Sequence, residues 1–178
     1  GLAGAPAGEL AQQTHKFDEK LDRQFSTREL AQNMSQYFIE MIRTLQKEMD
    51  EGEVIRILKV NSEGIGRSRG KQQASMAADT SFESFASAFR QMVAGPSMTA
   101  EVVEDSEHAF ELKVTECIWE TVFREAGMAG EIGNAAVCHM DYAWPAAFNP
   151  SFKLQRTKTL MQGHDCCNHR YLNTAATK

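Results

Sequence analysis

The chain has 178 residues and a formal net charge of −5, with 42% hydrophobic and 24% charged residues. This composition is ordinary for a globular protein, and a chain of this length can bury a core without disulfide staples. The acidic balance argues against nonspecific nucleic-acid binding, which needs a basic face. Because no apolar run approaches the roughly 20 residues that span a bilayer, we expect no transmembrane helix.

The N-terminal residues differ in composition from the rest of the chain. They are rich in Ala, Gly and Gln and then charged, which is typical of a loosely packed extension. They lack the basic and apolar regions of a signal peptide, so we expect reduced thiols and a cytoplasmic protein. The simplest division is an extension over residues 1–25 and a single domain over residues 26–178.

Two capping-box spacings mark helix starts in the first half of this domain. Ser26 and Glu29 precede apolar residues at helical intervals, which predicts a helix from about residue 27 to 50. Thr80 and Glu83 precede a stripe of phenylalanines that is typical of core packing.

The segment between these helices, residues 53–76, is ambiguous. Its apolar residues suit a second helix, but Gly64, Gly66 and Gly70 weaken that prediction. The glycines do not form a dinucleotide-binding loop, because Arg69 stands where the third glycine of that motif would be.

In the second half of the chain, apolar and polar residues alternate as they do in strands, except in two segments with helical spacing. Residues 117–127 return to helical spacing, with Gly127 as C-cap, and residues 131–144 suit a further helix. The alternating segments, which predict strands, are residues 98–105, 108–116, 151–161 and 166–172. The sum is an α+β fold, with N-terminal helices packed on a small, mainly antiparallel sheet that has inserted helices and a C-terminal β-hairpin.

Two adjacent cysteines, Cys166 and Cys167, stand in the closing strand between two histidines. Because strand side chains alternate, Cys167 shares a face with His169, and Cys166 shares the other face with His164. Structural zinc needs about four converging ligands at paired spacings, which these cysteines lack. We predict no cofactor, with Cys167 facing a site and Cys166 packing or facing solvent; a catalytic metal held by the thiols stays open as an alternative.

Cys138 and Asp141 are three residues apart, so a helix would place them on one face. A carboxylate raises a thiol pKa, and Asp141 is therefore better suited to orienting a substrate or holding Arg156. Arg156 stands on an otherwise apolar strand face, where a cation needs a carboxylate or an anionic ligand. The alternative is a small buried thiol, a surface carboxylate and an exposed cation.

A series of motifs runs through the C-terminal half of the chain. In order they are a cysteine that opens a helix (Cys117), C-x-x-D (Cys138 and Asp141), an Asn-Pro loop, R-T-x-T-L-x-x-G (Arg156 to Gly163) and a closing cysteine (Cys167). This order resembles the L-2-amino-thiazoline-4-carboxylic acid hydrolase family. The resemblance covers residues 27–172 and is specific from about residue 110 onward.

The resemblance implies hydrolysis of a carbon–nitrogen bond in a small cyclic amidine such as 2-amino-thiazoline-4-carboxylate. That chemistry needs a nucleophile or activated water, a proton donor and a cation for the carboxylate. The residues that the resemblance assigns are Cys138 or Cys167 as nucleophile, His164 or His169 as acid or base, Asp141 as orienting group, Arg156 as carboxylate clamp, and Cys117 and Thr159 as further substrate contacts.

One departure and a second resemblance leave an alternative open. The family commonly closes with a C-D-F-R-like string, whereas this chain has Asn168 and His169 at the middle positions, which points to a different substrate. The C-terminal hairpin is also similar to the 4-vinyl reductase type, which implies a non-catalytic small-molecule-binding domain. In either case we expect a small-molecule partner, no nucleic acid, no membrane and possible homo-oligomers.

Overall fold

The computed structural model describes residues 25–176, so nearly all of the predicted extension lies outside the described residues. Within that range the elements are α1 (Thr27–Glu48), α2 (Glu51–Met76), α3 (Phe82–Val93), β1 (Met98–Asp105), β2 (Ala109–Cys117), α4 (Ile118–Glu125), α5 (Glu131–Gly133), a π-helical segment (Asn134–Cys138), α6 (Met140–Phe148), β3 (Phe152–Gln155), a 3-10 turn (Leu160–Gln162) and β4 (Cys167–Asn173). The sheet has the order β1–β2–β4–β3, and each pair is antiparallel. The predicted α+β class is confirmed, including the hairpin of β3 and β4.

Side-chain caps set the first turns of α1 and α3. The Ser26 hydroxyl accepts from the Glu29 N–H at 3.2 Å, and the Glu29 carboxylate accepts from the Ser26 N–H at 3.0 Å, which is the predicted capping box. The cap of α3 lies one residue later than predicted. Ser81 rather than Thr80 accepts the hydrogen bond of the first turn, from the Ser84 N–H at 3.2 Å.

Helix α2 continues through its glycines, and two of them, Gly66 and Gly70, lie against α6. A Cβ on Gly66 would lie 2.1 Å from the carbonyl oxygen of Met140, and one on Gly70 would lie 2.3 Å from that of Trp144. Glycine therefore lets the two helix backbones approach more closely than any other residue would, and this contact offsets its low helix propensity.

Two hydrophobic clusters form the core. The first joins α1, α2, α4, α5 and the π-helical segment around Ile42, Leu58 and Phe123. The second joins α3, α6 and the inner face of the sheet, where the rings of Phe85 and Tyr171 lie 5.2 Å apart. A single sheet with helices on one face leaves the junction of the two clusters as the place where a cavity can form.

The strand predicted over residues 151–161 is wrong in its second half. β3 ends at Gln155, because the N–H groups of Thr157 and Lys158 donate to the side chain of Asn168 at 3.0 and 2.7 Å instead of to a neighbouring strand. The alternation of residues 151–161 would place Lys158 on the same strand face as Arg156, but Lys158 is exposed and pairs with Asp165 at 3.0 Å.

The helix predicted over residues 131–144 is divided. A π-helical segment separates α5 from α6, so the helical period is interrupted just before Asp141. Such segments are rare and are frequent at functional sites. Downstream, Gly163 has a φ of +87° and ends the 3-10 turn at the position where a turn was predicted.

We expect Gly66→Ala to lower the free energy of unfolding by about 1–3 kcal/mol, because the new methyl group meets backbone that cannot rotate away. Gly64→Ala is the matched control in the same helix, since nothing lies within 4 Å of the added Cβ. That substitution is expected to raise the free energy of unfolding by about 0.5–1 kcal/mol. Chemical denaturation measures both, and equal stabilities would contradict the close packing of α2 on α6.

Candidate active site

A cavity of about 130 Å³ lies between the inner face of the sheet and helices α2, α3 and α6, where the two clusters meet. Its wall is mainly apolar, with side chains such as Phe89, Leu112 and Trp144. The polar side chains of the lining are Arg69, Cys117, Cys138, Asp141, Arg156, Cys167, His169 and Tyr171. An apolar cavity with a few converging polar groups is the usual form of a small-molecule site.

The register of the sheet decides which residues of β4 line this cavity. Cys167 lies opposite Val114 of β2, and His169 lies opposite Leu112. Because strand side chains alternate, Cys167 and His169 reach the same inner face, as the sequence pattern indicates. Cys166 precedes β4, is buried, and does not line the cavity.

Asp141 and Arg156 form a buried ion pair at the cavity wall. Arg156 Nη1 donates to Asp141 Oδ2 at 2.6 Å, and Nη2 donates to the carbonyl oxygen of Cys138 at 2.8 Å. After the π-helical segment the Tyr142 N–H donates to His139 O at 3.2 Å, which leaves the Cys138 carbonyl available. The Arg156 side chain is 1% exposed, so Asp141 and not solvent compensates its charge.

Both partners of this pair keep their charges at neutral pH. Burial raises the pKa of Asp141, but the hydrogen bond with His169 and the charge of Arg156 outweigh burial and hold the pKa below its ordinary value. Burial also acts to lower the pKa of Arg156, yet the Asp141 carboxylate more than offsets it and the pKa lies above its ordinary value.

His169 contacts the ion pair through one ring nitrogen. Its Nε2 lies 3.0 Å from Arg156 Nη1 and 3.4 Å from Asp141 Oδ2. Its Nδ1 is buried and has no hydrogen-bond partner among residues 25–176. If Nε2 accepts from Arg156, Nδ1 carries the proton, and if Nε2 donates to Asp141, Nδ1 carries a lone pair. In either tautomer Nδ1 has no hydrogen-bond partner among residues 25–176.

The three thiols of the cavity are neutral at pH 7. Burial raises the pKa of Cys117, although the backbone N–H groups of Glu120 and Trp119 act in the opposite direction. Burial and then the charge of Asp141 raise the pKa of Cys138 well above its ordinary value. Burial also raises the pKa of Cys167 to about 11, although the Leu160 N–H and the positive charge of Arg156 act to lower it. The Leu160 N–H donates to Cys167 Sγ at 3.2 Å.

The structure brings most of the predicted site residues together. The cavity lining includes Cys117, Cys138, Asp141, Arg156, Cys167 and His169. Thr159 and His164 do not line it. The Thr159 N–H donates to Nδ1 of the exposed His164 at 3.2 Å, and the Thr159 hydroxyl caps the 3-10 turn, so both side chains stabilise that turn. This placement gives no support to the catalytic or substrate-binding roles predicted for them.

Arg69 is a lining residue that the sequence patterns did not indicate. Arg69 lies on α2 and its guanidinium lies over the Trp144 ring, with Cζ 5.6 Å from the centroid. Its local pattern gave no signal, because it reaches the cavity through the contact of α2 with α6. The glycines that weakened the helix prediction were the available clue, since they permit that contact.

Two geometric findings concern other classes of site. Between residues 25 and 176, no group of three or more His, Cys, Asp or Glu side chains is arranged to hold a metal ion. In the same range, no helix combines the length and the apolar character needed to cross a membrane.

Solved structures define the class of fold. The phenol-responsive sensory domain of the transcription activator PoxR, in its structure with phenol, is similar with a TM-score of 0.54 and 8% identity, over 77% of this chain and 73% of that one. A trafficking protein particle complex subunit 3 from Naegleria fowleri, covalently bound to palmitic acid, is similar with a TM-score of 0.52 and 9% identity, over 80% of this chain and 93% of that one. At these identities the similarity shows a shared fold.

The sequence profile of the L-2-amino-thiazoline-4-carboxylic acid hydrolase family matches residues 30–171, which is most of the chain. The chain therefore belongs to this family, and the resemblance that the motifs indicated is confirmed. No curated protein matches the chain in a direct sequence comparison.

We expect Asp141→Asn to lower the free energy of unfolding at pH 7 by about 3–5 kcal/mol, because it leaves the buried Arg156 charge without its partner. Since the folded-state pKa of Asp141 is lowered, this stabilisation is present above the unfolded-state pKa and is lost as the pH falls through the folded-state pKa. The difference between wild type and variant should therefore shrink in acid. Denaturant unfolding at several pH values measures it.

The matched control is Asp165→Asn, which removes an exposed carboxylate that pairs with Lys158 at 3.0 Å. It should leave the stability at pH 7 nearly unchanged, because surface ion pairs contribute little. Equal losses in the two variants would contradict a special contribution of the buried pair.

Proposed function

We propose that the protein is a hydrolase that opens a carbon–nitrogen bond of a small cyclic amidine such as 2-amino-thiazoline-4-carboxylate, and that the cavity is its substrate site. The observation that carries the proposal is the convergence of Cys167 and His169 from β4 with Asp141 from α6 on one cavity wall in a member of this family. Nucleophilic catalysis commonly uses a thiol, a base and a group that orients the base.

The size of the cavity supports a substrate with one ring. A cavity of about 150 Å³ holds a benzene molecule, and drug-sized sites span about 300–1,000 Å³. At about 130 Å³, this cavity suits a single five- or six-membered ring and has no room for a long acyl chain.

Among the candidate nucleophiles, the contacts favour Cys167 over Cys138. Cys167 Sγ already accepts an N–H hydrogen bond from Leu160, which stabilises a thiolate, whereas Cys138 faces the added repulsion of Asp141. With a pKa of about 11, the Cys167 thiol is almost fully protonated at pH 7 in the empty cavity. A protonated amidine brought beside Sγ would favour the thiolate, so the substrate would contribute to activating its own nucleophile.

His169 is the residue best placed to move protons. Its Nδ1 has no partner within residues 25–176, and its Nε2 is held by the ion pair of Asp141 and Arg156. Exchange of the Nε2 contact between the two partners switches Nδ1 between acceptor and donor, which are the two roles that hydrolysis requires.

The proposed reaction has two stages and consumes one water. As the Cys167 sulfur adds to the carbon of the protonated amidine, the thiol proton passes to His169. The ring C–N bond then breaks, and the ring nitrogen leaves as an amine with that proton from His169. Water then adds to the same carbon, the bond from that carbon to the Cys167 sulfur breaks, and the thiol regains its proton. The product is a carbamoyl-cysteine-type compound, and the enzyme is regenerated.

A second candidate function is a non-catalytic domain that binds a small ring. The neutral state of the three thiols and the mainly apolar wall favour it, as does the similarity of the fold to a phenol-responsive sensory domain. This candidate predicts saturable binding of a ring compound without turnover.

Wild-type protein incubated with 2-amino-thiazoline-4-carboxylate is expected to release ring-opened product. Cys167→Ser should lower turnover on the order of 10³-fold or more, because it removes the nucleophile. Cys166→Ser is the matched control, since Cys166 is a neighbouring buried thiol that does not line the cavity, and it should retain turnover within about twofold.

Chromatography or mass measurement of the product decides among the outcomes. Equal turnover in the two variants would remove the thiol mechanism and favour an activated water. A wild type that binds the ring without opening it would favour the binding domain.

A further inference from the structure

We propose that Arg69 is the cation that holds the carboxylate of the substrate, so that the cavity selects ring compounds that bear an anionic group. This inference rests on the proposed function, because it assigns the substrate class of the same cavity. In this proposal Arg69, and not Arg156, binds the carboxylate of the substrate.

Arg69 is a cation with unused donors at the cavity boundary. Its side chain lines the cavity and is half-buried, and it makes no hydrogen bond or ion pair with any residue from 25 to 176. The neighbouring Arg67, on the same helix, is exposed and pairs with Glu63 at 3.3 Å. A partly exposed guanidinium without an anionic partner in the protein has donors available for an anionic ligand.

The orientation of Arg69 is set by Trp144. The Trp144 Nε1–H donates to Gln73 Oε1 at 2.6 Å, which fixes the indole, and the guanidinium lies over the indole ring with Cζ 5.6 Å from its centroid. This contact with the ring uses none of the guanidinium N–H groups, which make no hydrogen bond with residues 25–176, and a guanidinium matches a carboxylate in bidentate geometry.

Arg156 is poorly suited to the same role. Its Nη1 and Nη2 donate to Asp141 and to the Cys138 carbonyl, and its charge is compensated. A second carboxylate beside Arg156 would also face the negative charge of Asp141, whereas Arg69 has no carboxylate partner among the described residues.

Arg69 and Trp144 also border a second concave region. A surface groove of about 710 Å³ between the C-terminal half of α2 and α3 shares these two residues with the cavity. A ring in the cavity would therefore have its carboxylate at the boundary with the groove. There it can keep part of its hydration, which lowers the cost of bringing an anion into the protein.

The test compares two ligands that differ by the carboxylate, 2-amino-thiazoline-4-carboxylate and 2-amino-thiazoline, by titration calorimetry. Arg69→Gln should weaken binding of the acid about 10- to 100-fold, as expected for loss of a charged hydrogen-bonded pair, and should leave the neutral ring within about twofold. Arg67→Gln is the matched control and should change neither ligand. Arg69→Lys keeps the charge without the bidentate edge and should give an intermediate loss for the acid.

Equal weakening of both ligands by Arg69→Gln would overturn the proposal, because Arg69 would then act on the shape of the cavity. Unchanged binding of the acid would also overturn it, as would a wild type that binds neither ring. Turnover is measured separately. A wild type that binds the acid with the expected dependence on Arg69 but does not open it would support the anchor and contradict the hydrolase.

Discussion

The buried ion pair of Asp141 and Arg156 is the interaction on which the cavity depends. It joins α6 to the chain after β3, and the same guanidinium holds the Cys138 carbonyl and contacts His169. Because a buried charge without its partner costs several kcal/mol, separating these groups would lower the free energy of unfolding of the whole fold. The pair fixes the geometry of the wall, and within it the charge of Arg156 is already compensated by Asp141.

The contact of α2 with α6 is the second constraint. Gly66 and Gly70 have low helix propensity and no side chain to pack, but they allow the backbones of α2 and α6 to come into contact. That approach brings Arg69 from α2 beside Trp144 from α6. The ion pair of Asp141 and Arg156 therefore fixes the cavity wall, and the contact of α2 with α6 places the cation Arg69 at the boundary of the cavity.

The chemistry of the cavity follows from its low polarity. Burial keeps the thiols protonated and so protects them while the cavity is empty. A cationic ring would lower the cost of a thiolate at Cys167, and an anionic substituent on the ring would be compensated at Arg69. A ring that carries both charges, as an amidine with a carboxylate does, would place a cation beside Cys167 and an anion beside Arg69 in the proposed site.

Local sequence determined the elements and several of their faces. The capping box and periodicity predicted α1, and alternation predicted β1, β2 and β4 and placed Cys167 and His169 on one side of β4, because such patterns depend on residues a few positions apart. The tertiary structure decided the end of β3, where the Asn168 side chain accepts the backbone hydrogen bonds of Thr157 and Lys158. It also decided the arrival of Arg69 at the cavity, since the packing of two helix backbones leaves no period in the sequence. The π-helical break before Asp141 and the placement of Thr159 and His164 outside the cavity likewise had no signal in the periodicity.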